Sequence, residues 1–426
     1  MRSFIILVIE FTISTILKEL GINPISNVLA LIFIIVFSIA FSYDLDNSVV
    51  FNKHKQSLLL GYYLRVFLLL FDRYGQSIYH LPNSGADSEM FYTQAVLQAK
   101  GITSVRSGGF IGLFRIIFGL IGTNRLIGQF IVVLFSLVAL CVLALTLEEL
   151  DLCNEQKQRA VAIVSLLPNY AILSSIFLRE SIVSMFVCIS FYFFMRFYNG
   201  YSFINVIFSF ICVLCGMLFH SGPAGFIIGY TTVLLLGNRD SWTLGKRGVS
   251  ILVAIVFGIG SVYLYTRYGD LFFAKFLRVD SIVDVANVRE SGGSTYAKYV
   301  GDSDSVKSMI VYTIPRYVYF LFSPFPWQWR GPADIIAFFF SGFYYMSIVF
   351  QSICYLISGK DKNRTLIVNV LIILACSTFV FAWGVSNTGT AARHRDKLIT
   401  AFAILHGLVL DPDRSINLYM GDRKIV

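Results

Sequence analysis

Apolar runs separated by short polar connections occupy almost the whole chain. A helix needs about 20 largely apolar residues to cross a bilayer. Runs that reach or approach that length lie at 3–19, 25–43, 57–71, 126–146, 158–176, 180–197, 202–219, 222–237, 248–266, 333–357, 365–384 and 396–411. The pattern therefore predicts about twelve transmembrane helices. Two shorter apolar pieces, 109–122 and 308–323, carry Arg115 and Arg316, and the long polar stretches are 72–108 and 267–307. No repeat, low-complexity tract or soluble domain interrupts the pattern. The expectation is an all-α, polytopic integral membrane protein, one transmembrane domain over 1–426, with external loops at 72–125 and 267–332.

Composition narrows the class. Of 426 residues, 56% are hydrophobic and only 14% are charged, against roughly 25% charged in soluble domains. A soluble enzyme, a nucleic-acid-binding protein, a disordered chain and a fibrous one are excluded. The net charge of +9 is read as membrane topology and attraction to anionic lipid head groups, with no nucleic-acid partner. Seven cysteines form no framework spacing; Cys212 and Cys215 lie inside an apolar helix and read as buried small residues. The start, Met1-Arg2-Ser3 followed by an apolar run, imitates a signal peptide. With no small-residue cleavage site after it, it is read as a retained first helix.

Lysine and arginine set the orientation. With the N-terminus in the cytoplasm, the inner short loops hold ten of these cations and the outer short loops five. This holds if 109–122 and 308–323 are re-entrant or interfacial elements on the outer side, where irregular backbone must be buried in protein or line a cavity. The outer face then gathers Asp72, Asp87, Glu89, Arg125, Arg179, Glu180, His220, Arg289, Arg316, Arg330, Arg393, His394 and Arg395, among others. Arginine outnumbers lysine there, and its planar fork suits bidentate contact with phosphate. Interfacial snorkelling and structural ion pairing account for any one of these arginines equally well; the concentration of the set on one face favours a phosphate or diphosphate site.

Five local motifs carry the chemistry. Ser84-Gly85-Ala86-Asp87-Ser88 reads as a turn entering a helix; Asp87 or Ser88 caps it, or Asp87 serves as a general base toward a sugar hydroxyl. Arg179-Glu180 sits where one span ends and the next begins, either as a structural pair or as part of a site. His220-Ser221-Gly222-Pro223 forms a tight outer hairpin. Pro324-Phe325-Pro326-Trp327-Gln328-Trp329-Arg330 breaks the helix, and its tryptophans suit either a membrane-interface belt or a sugar-stacking wall. In Gly389-Thr390-Ala391-Ala392-Arg393-His394-Arg395, two arginines at i and i+2 do not share a helix face; a loop or helix start aims both at one phosphate. Gly292-Gly293 reads as a flexible turn. There is no Walker A, no dinucleotide fingerprint, no H-E-x-x-H and no D-x-D, so neither a metal site nor a cofactor is expected.

Together, Gly85, Asp87 and Tyr92, the Pro168 to Glu180 segment, the Pro-Phe-Pro-Trp turn at 324–327 and the segment 389–395 resemble bacterial O-antigen and capsular polysaccharide polymerases of the Wzy type and their EpsG-like relatives. That family is similar to GT-C-type membrane glycosyltransferases. The resemblance implies a GT-C-like helical fold in the bacterial cytoplasmic (inner) membrane with an active site facing the periplasm or exterior. It also implies an undecaprenyl-diphosphate-linked oligosaccharide substrate, with a chain-length regulator and a flippase as partners. Asp87 matches the acidic residue of the first outer loop. Arg179, Arg393 and Arg395 match diphosphate-binding roles, with Glu180, His220, Arg289, Arg316, Arg330 and His394 beside them. Tyr92, Trp327 and Trp329 are the glycan-facing aromatics.

Three activities fit these features. A polymerase joins lipid-linked repeat units, a GT-C transferase adds one sugar from a polyprenyl-phosphate donor, and a transporter or flippase moves the lipid-linked glycan. Transporters place ionisable groups near the bilayer midplane and often carry inverted repeats; charges gathered at one face favour the transferases. An O-antigen ligase shares the donor.

Overall fold

Uninterrupted apolar runs become long helices, and prolines decide where they stop. The computed structural model describes residues 2–20, 26–102, 108–236, 295–296, 306–358 and 363–410, with scattered positions between 248 and 260. Among these the chain is helical, and the only β pairing is an isolated bridge between Thr295 and Asn387. In chain order the helices are α1 (Arg2–Glu19), α2 (Asn27–Asp46), α3 (Val49–Lys53), α4 (Lys55–Tyr74), α5 (Ala86–Ala99), α6 (Gly109–Ile121), α7 (Arg125–Glu148), α8 (Asn154–Leu166), α9 (Pro168–Leu173) and α10 (Glu180–Tyr198). They continue with α11 (Ile204–Met217), α12 (Ala224–Leu236), α13 (Val306–Phe322), α14 (Pro332–Ile357), α15 (Arg364–Trp383), α16 (Thr388–Arg395) and α17 (Ile399–Val409).

Five of the described helices are long and apolar enough to cross a membrane: α2, α7, α10, α14 and α15. The protein is thus an all-helical chain built for a membrane, though five helices rather than twelve meet that standard. α1 and α4 coincide with runs 3–19 and 57–71, but each bears several charges, including buried Glu10 in α1 and buried Arg65 and Asp72 in α4. Runs 202–219 and 222–237 appear as the shorter helices α11 and α12. Run 248–266 lies largely outside the described residues, as does most of the polar stretch 267–307.

Two runs differ from expectation in kind. The run 158–176 is not one helix. Pro168 has no N–H to continue the ladder of α8, so the chain breaks at Leu167 and restarts as α9. Buried Arg65 answers the break: its Nη1 donates to the Ser165 carbonyl at 2.7 Å and its Nε to Ser174 Oγ at 2.9 Å. The run 396–411 is the continuation of α16 through a 3₁₀ turn at Asp396–Leu398 into α17. The segment 389–395, expected as a loop or helix start, is therefore the first two turns of a broken helix.

Two sets of distant polar contacts join loops and helix ends. One group joins His54 and Lys157 to Glu148, Gln158 to the Lys53 carbonyl and Asn199 to the Glu149 carbonyl. The other joins Lys18 to the Gly119 carbonyl, Arg125 to Glu89, Arg179 to the Phe219 carbonyl and Arg393 to Asp87. Burial holds His54 below its ordinary value, against the pull of Glu148.

Between α12 and α15 the backbones nearly touch. A Cβ at Gly222 would lie 2.0 Å from the Phe381 ring, at Gly225 2.5 Å from Ser377 Cα, and at Gly229 2.8 Å from Ile373 Cα. Small residues at such spacing let apolar helices associate where no hydrophobic driving force distinguishes protein from lipid. Gly225→Ala should lower stability by about 1–3 kcal/mol, because the contact is with backbone that cannot move aside. Gly112, whose Cβ would meet nothing within 4 Å, serves as control: Gly112→Ala should leave stability unchanged or raise it by about 0.5–1 kcal/mol. Thermal unfolding of both variants in one detergent checks this; equal melting temperatures would contradict the close packing.

Candidate functional site

The first element is the turn into α5. Asp72, buried at the end of α4, accepts from Ser84 Oγ and from Gln129 Nε2 at 2.6 Å, which ties the 75–85 loop back to α4 and α7. Gly85 then adopts φ +137°, a conformation that side chains resist. Ser88 Oγ accepts from the Gly85 N–H at 3.2 Å. The expected cap is thus only partly present: Ser88 reaches back, while Asp87 caps nothing. Asp87 is left half-exposed in the first turn, and its Oδ2 accepts from Arg393 Nη1.

The second element is the start of α10. Glu180 occupies its first turn, where the helix dipole favours an anion, and its side chain is only 4% exposed. Its Oε1 accepts from Arg393 Nη2 at 3.2 Å and lies 3.5 Å from Lys397 Nζ. Arg179, next to it, donates from Nη1 to the Phe219 carbonyl at 3.3 Å and lies over the Phe91 ring.

The third element is α16. Asn387 caps it, its Oδ1 accepting from the N–H groups of Gly389 and Thr390 at 2.9 and 3.2 Å. Once the segment is helical, residues i and i+2 point about 200° apart. Arg393 faces Asp87 and Glu180. Arg395 faces the other way and is fully buried, with Nε donating to Ser341 Oγ at 2.9 Å, Nη1 to the carbonyls of Leu321 (3.2 Å) and Ser323, and Nη2 to the Ala337 carbonyl at 2.9 Å. The expectation that both arginines aim at one phosphate is corrected: every Arg395 nitrogen is engaged by the protein. For Arg393, burial opposes the charge, and the Glu180 and Asp87 carboxylates outweigh it, so the guanidinium is held more firmly charged than usual.

Around this pair stand two histidines. His220 Nδ1 accepts from the Gly222 N–H at 2.9 Å, closing the α11–α12 hairpin. Its ring lies 4.4 Å from that of His394, edge to face, and 5.7 Å from Phe381. The fold thus brings Asp87, Arg179, Glu180, His220, Arg393 and His394 to one end of the bundle. Three basic side chains, Arg179, Arg393 and Lys397, stand beside two carboxylates, Asp87 and Glu180.

Other expected residues lie elsewhere. Arg316 is buried in α13 with its guanidinium 4.4 Å above the Trp383 ring. Arg330 is exposed and pairs with Asp334 at 3.5 Å, one turn on. Tyr92 is a packing residue. Its hydroxyl donates to the Thr123 carbonyl at 2.9 Å, and its ring meets Phe118 and Phe177 edge-on beneath Arg125; burial pushes its phenol above the usual range. Trp327 is exposed and stacked on Phe325, whereas Trp329 Nε1 donates to the Pro324 carbonyl at 3.0 Å. Arg289 lies outside the described residues. No group of His, Cys, Asp and Glu among the described residues has metal-holding geometry.

Lys397 belongs to none of the sequence motifs singled out above. Its position four residues after Arg393, on the same helix face, is the signal that links it to Glu180. Comparison of the chain with protein-family models, with curated proteins and with solved structures finds no match.

The two carboxylates should differ in weight. Glu180→Gln strands the buried charges of Arg393 and Lys397, and removing one partner of a buried pair costs about 3–5 kcal/mol. Asp87→Asn, at an exposed position, should cost less than about 1 kcal/mol. Thermal unfolding of the purified variants checks the order; equal losses would contradict it.

Proposed function

We propose that this chain is a membrane glycosyltransferase of the polysaccharide-polymerase type. It joins undecaprenyl-diphosphate-linked oligosaccharides at the outer face of the bacterial cytoplasmic membrane, for O-antigen, capsule or exopolysaccharide. The observation that carries this reading is the meeting of three motifs on Arg393: Asp87 lies 306 residues away in sequence and Glu180 lies 213 away.

The chemistry follows from the charges. A sugar linked through diphosphate has a leaving group that is already anionic, so the enzyme needs fixed cations more than a strong acid. Arg393, supported by Arg179, holds the diphosphate. Lys397 stays behind Glu180 and keeps that carboxylate from competing fully for Arg393. Asp87 takes the proton of the acceptor hydroxyl. The hydroxyl oxygen bonds to the donor's anomeric carbon as the bond to the diphosphate oxygen breaks, and undecaprenyl diphosphate leaves. Trp327, exposed beside Phe325, offers a ring face to a sugar.

Purified variants with a lipid-linked donor test the reading. Asp87→Asn should abolish chain extension while the protein still inserts and folds. Arg393→Lys keeps a cation and loses the fork; a charge-assisted contact of about 1.5–3 kcal/mol makes the expected loss in donor use on the order of tenfold to a hundredfold. Near-wild-type extension by both variants would refute the assignment.

A further inference from the structure

Arg393 is held by two carboxylates of opposite character. Glu180 is buried, braced by Lys397 and fixed in the first turn of α10; a buried, doubly paired carboxylate is expensive to separate from its cations. Asp87 is half-exposed, with 53% of its side chain open against 12% for Arg393. Exposed ion pairs are worth little, about 0–1 kcal/mol. The two arms therefore yield unequally: an incoming anion displaces Asp87 and leaves Glu180 in place. Polar capacity at the same point is unspent. Among the described residues, Arg393 Nε and Glu180 Oε2 are buried with no hydrogen-bond partner, and Lys397 Nζ, fully enclosed, lies 3.5 Å from Glu180 Oε1 and 5.9 Å from the centre of the Phe381 ring.

We propose that the Asp87–Arg393 ion pair is a latch released by the substrate's diphosphate, so that the base is set free only when a donor occupies the site. This rests on the functional reading above and adds an order of events to it. Without donor, Asp87 is occupied by Arg393 and cannot accept a proton from an acceptor hydroxyl or from water. When the diphosphate takes the Nη1 side of Arg393, Asp87 loses its partner at the place where the acceptor must be deprotonated. Glu180 and Lys397 are positioning residues in this scheme. They hold the Arg393 guanidinium through Nη2 while Nη1 changes partner. The latch closes the first turn of α5, which follows Gly85 with its positive φ, onto α16.

The test is pyrophosphate binding to full-length protein in phosphatidylcholine nanodiscs, a bilayer without anionic head groups, followed by calorimetry. If Asp87 competes for Arg393, Asp87→Asn and Asp87→Ser should bind pyrophosphate about threefold to fivefold more tightly than wild type, the most that an exposed ion pair is worth, while turnover is lost. Lipid-linked donor should likewise bind these variants more tightly while they fail to extend it, a split that a merely structural role would not give. Glu89→Gln is the control: Glu89 pairs with Arg125, so the same charge is removed two residues along without opening the latch. Its affinity should change by less than about twofold, since exposed charges at that range are screened. Equal tightening in Asp87→Asn and Glu89→Gln, or no tightening in Asp87→Asn while Arg393→Ala still abolishes binding, would overturn the latch and leave the diphosphate site standing. Pyrophosphate binding no better in wild type than in Arg393→Ala would overturn both.

Discussion

Every backbone carbonyl freed inside a membrane protein must find a donor within the protein, because lipid offers none. This chain breaks its helices near Pro168 and again between α13 and α14, and at each break a buried arginine supplies the donors. Arg65 takes the Ser165 carbonyl; Arg395 takes those of Leu321, Ser323 and Ala337. The rest of the site depends on these two clamps. The first break lets the chain turn and start α10 with Glu180 at its N-terminus. The second fixes the rotation of α16, and with Arg395 locked on one side, Arg393 must face Asp87 and Glu180 on the other. Asp396 strengthens the same joint, accepting from Asn169 Nδ2 at 2.6 Å and Tyr345 OH at 2.7 Å, and so ties α16 directly to α9.

The polar residues of this end thus divide by burial into two kinds of work. Arg395, Asp396 and Lys397 are consecutive and enclosed; they hold a helix break together. Arg393, one turn earlier, touches both the enclosed Glu180 and the open Asp87. It is where the enclosed network meets the surface.

Sequence legibility follows the same division. Runs 126–146, 180–197 and 365–384 match α7, α10 and α15 to within a residue or two at each end, because an apolar stretch without proline has little choice but a helix in a membrane. Run 158–176 misled because its hydropathy is continuous across Pro168, and hydropathy does not register a lost N–H. The site was legible as types: an acid, an Arg-Glu pair, a histidine and an arginine motif stood out against apolar surroundings. Their partners were not legible, because a contact between residues 87 and 393 leaves no local trace. The roles of Arg393 and Arg395 depended on helical phase, which a loop reading of 389–395 erased. Arg65 went unread because one arginine within an apolar run resembles an interruption rather than a donor for a broken helix.

The central claim is that residues 87 and 393 meet at a face open to the outside. Cysteines at both positions, in a chain otherwise free of cysteine, place it under direct measurement with a short, membrane-impermeant, bifunctional thiol-reactive cross-linker on intact cells. The account predicts an intramolecular cross-link between positions 87 and 393, formed on intact cells and detectable by mass spectrometry. No cross-link, or one formed only after permeabilisation, would contradict it.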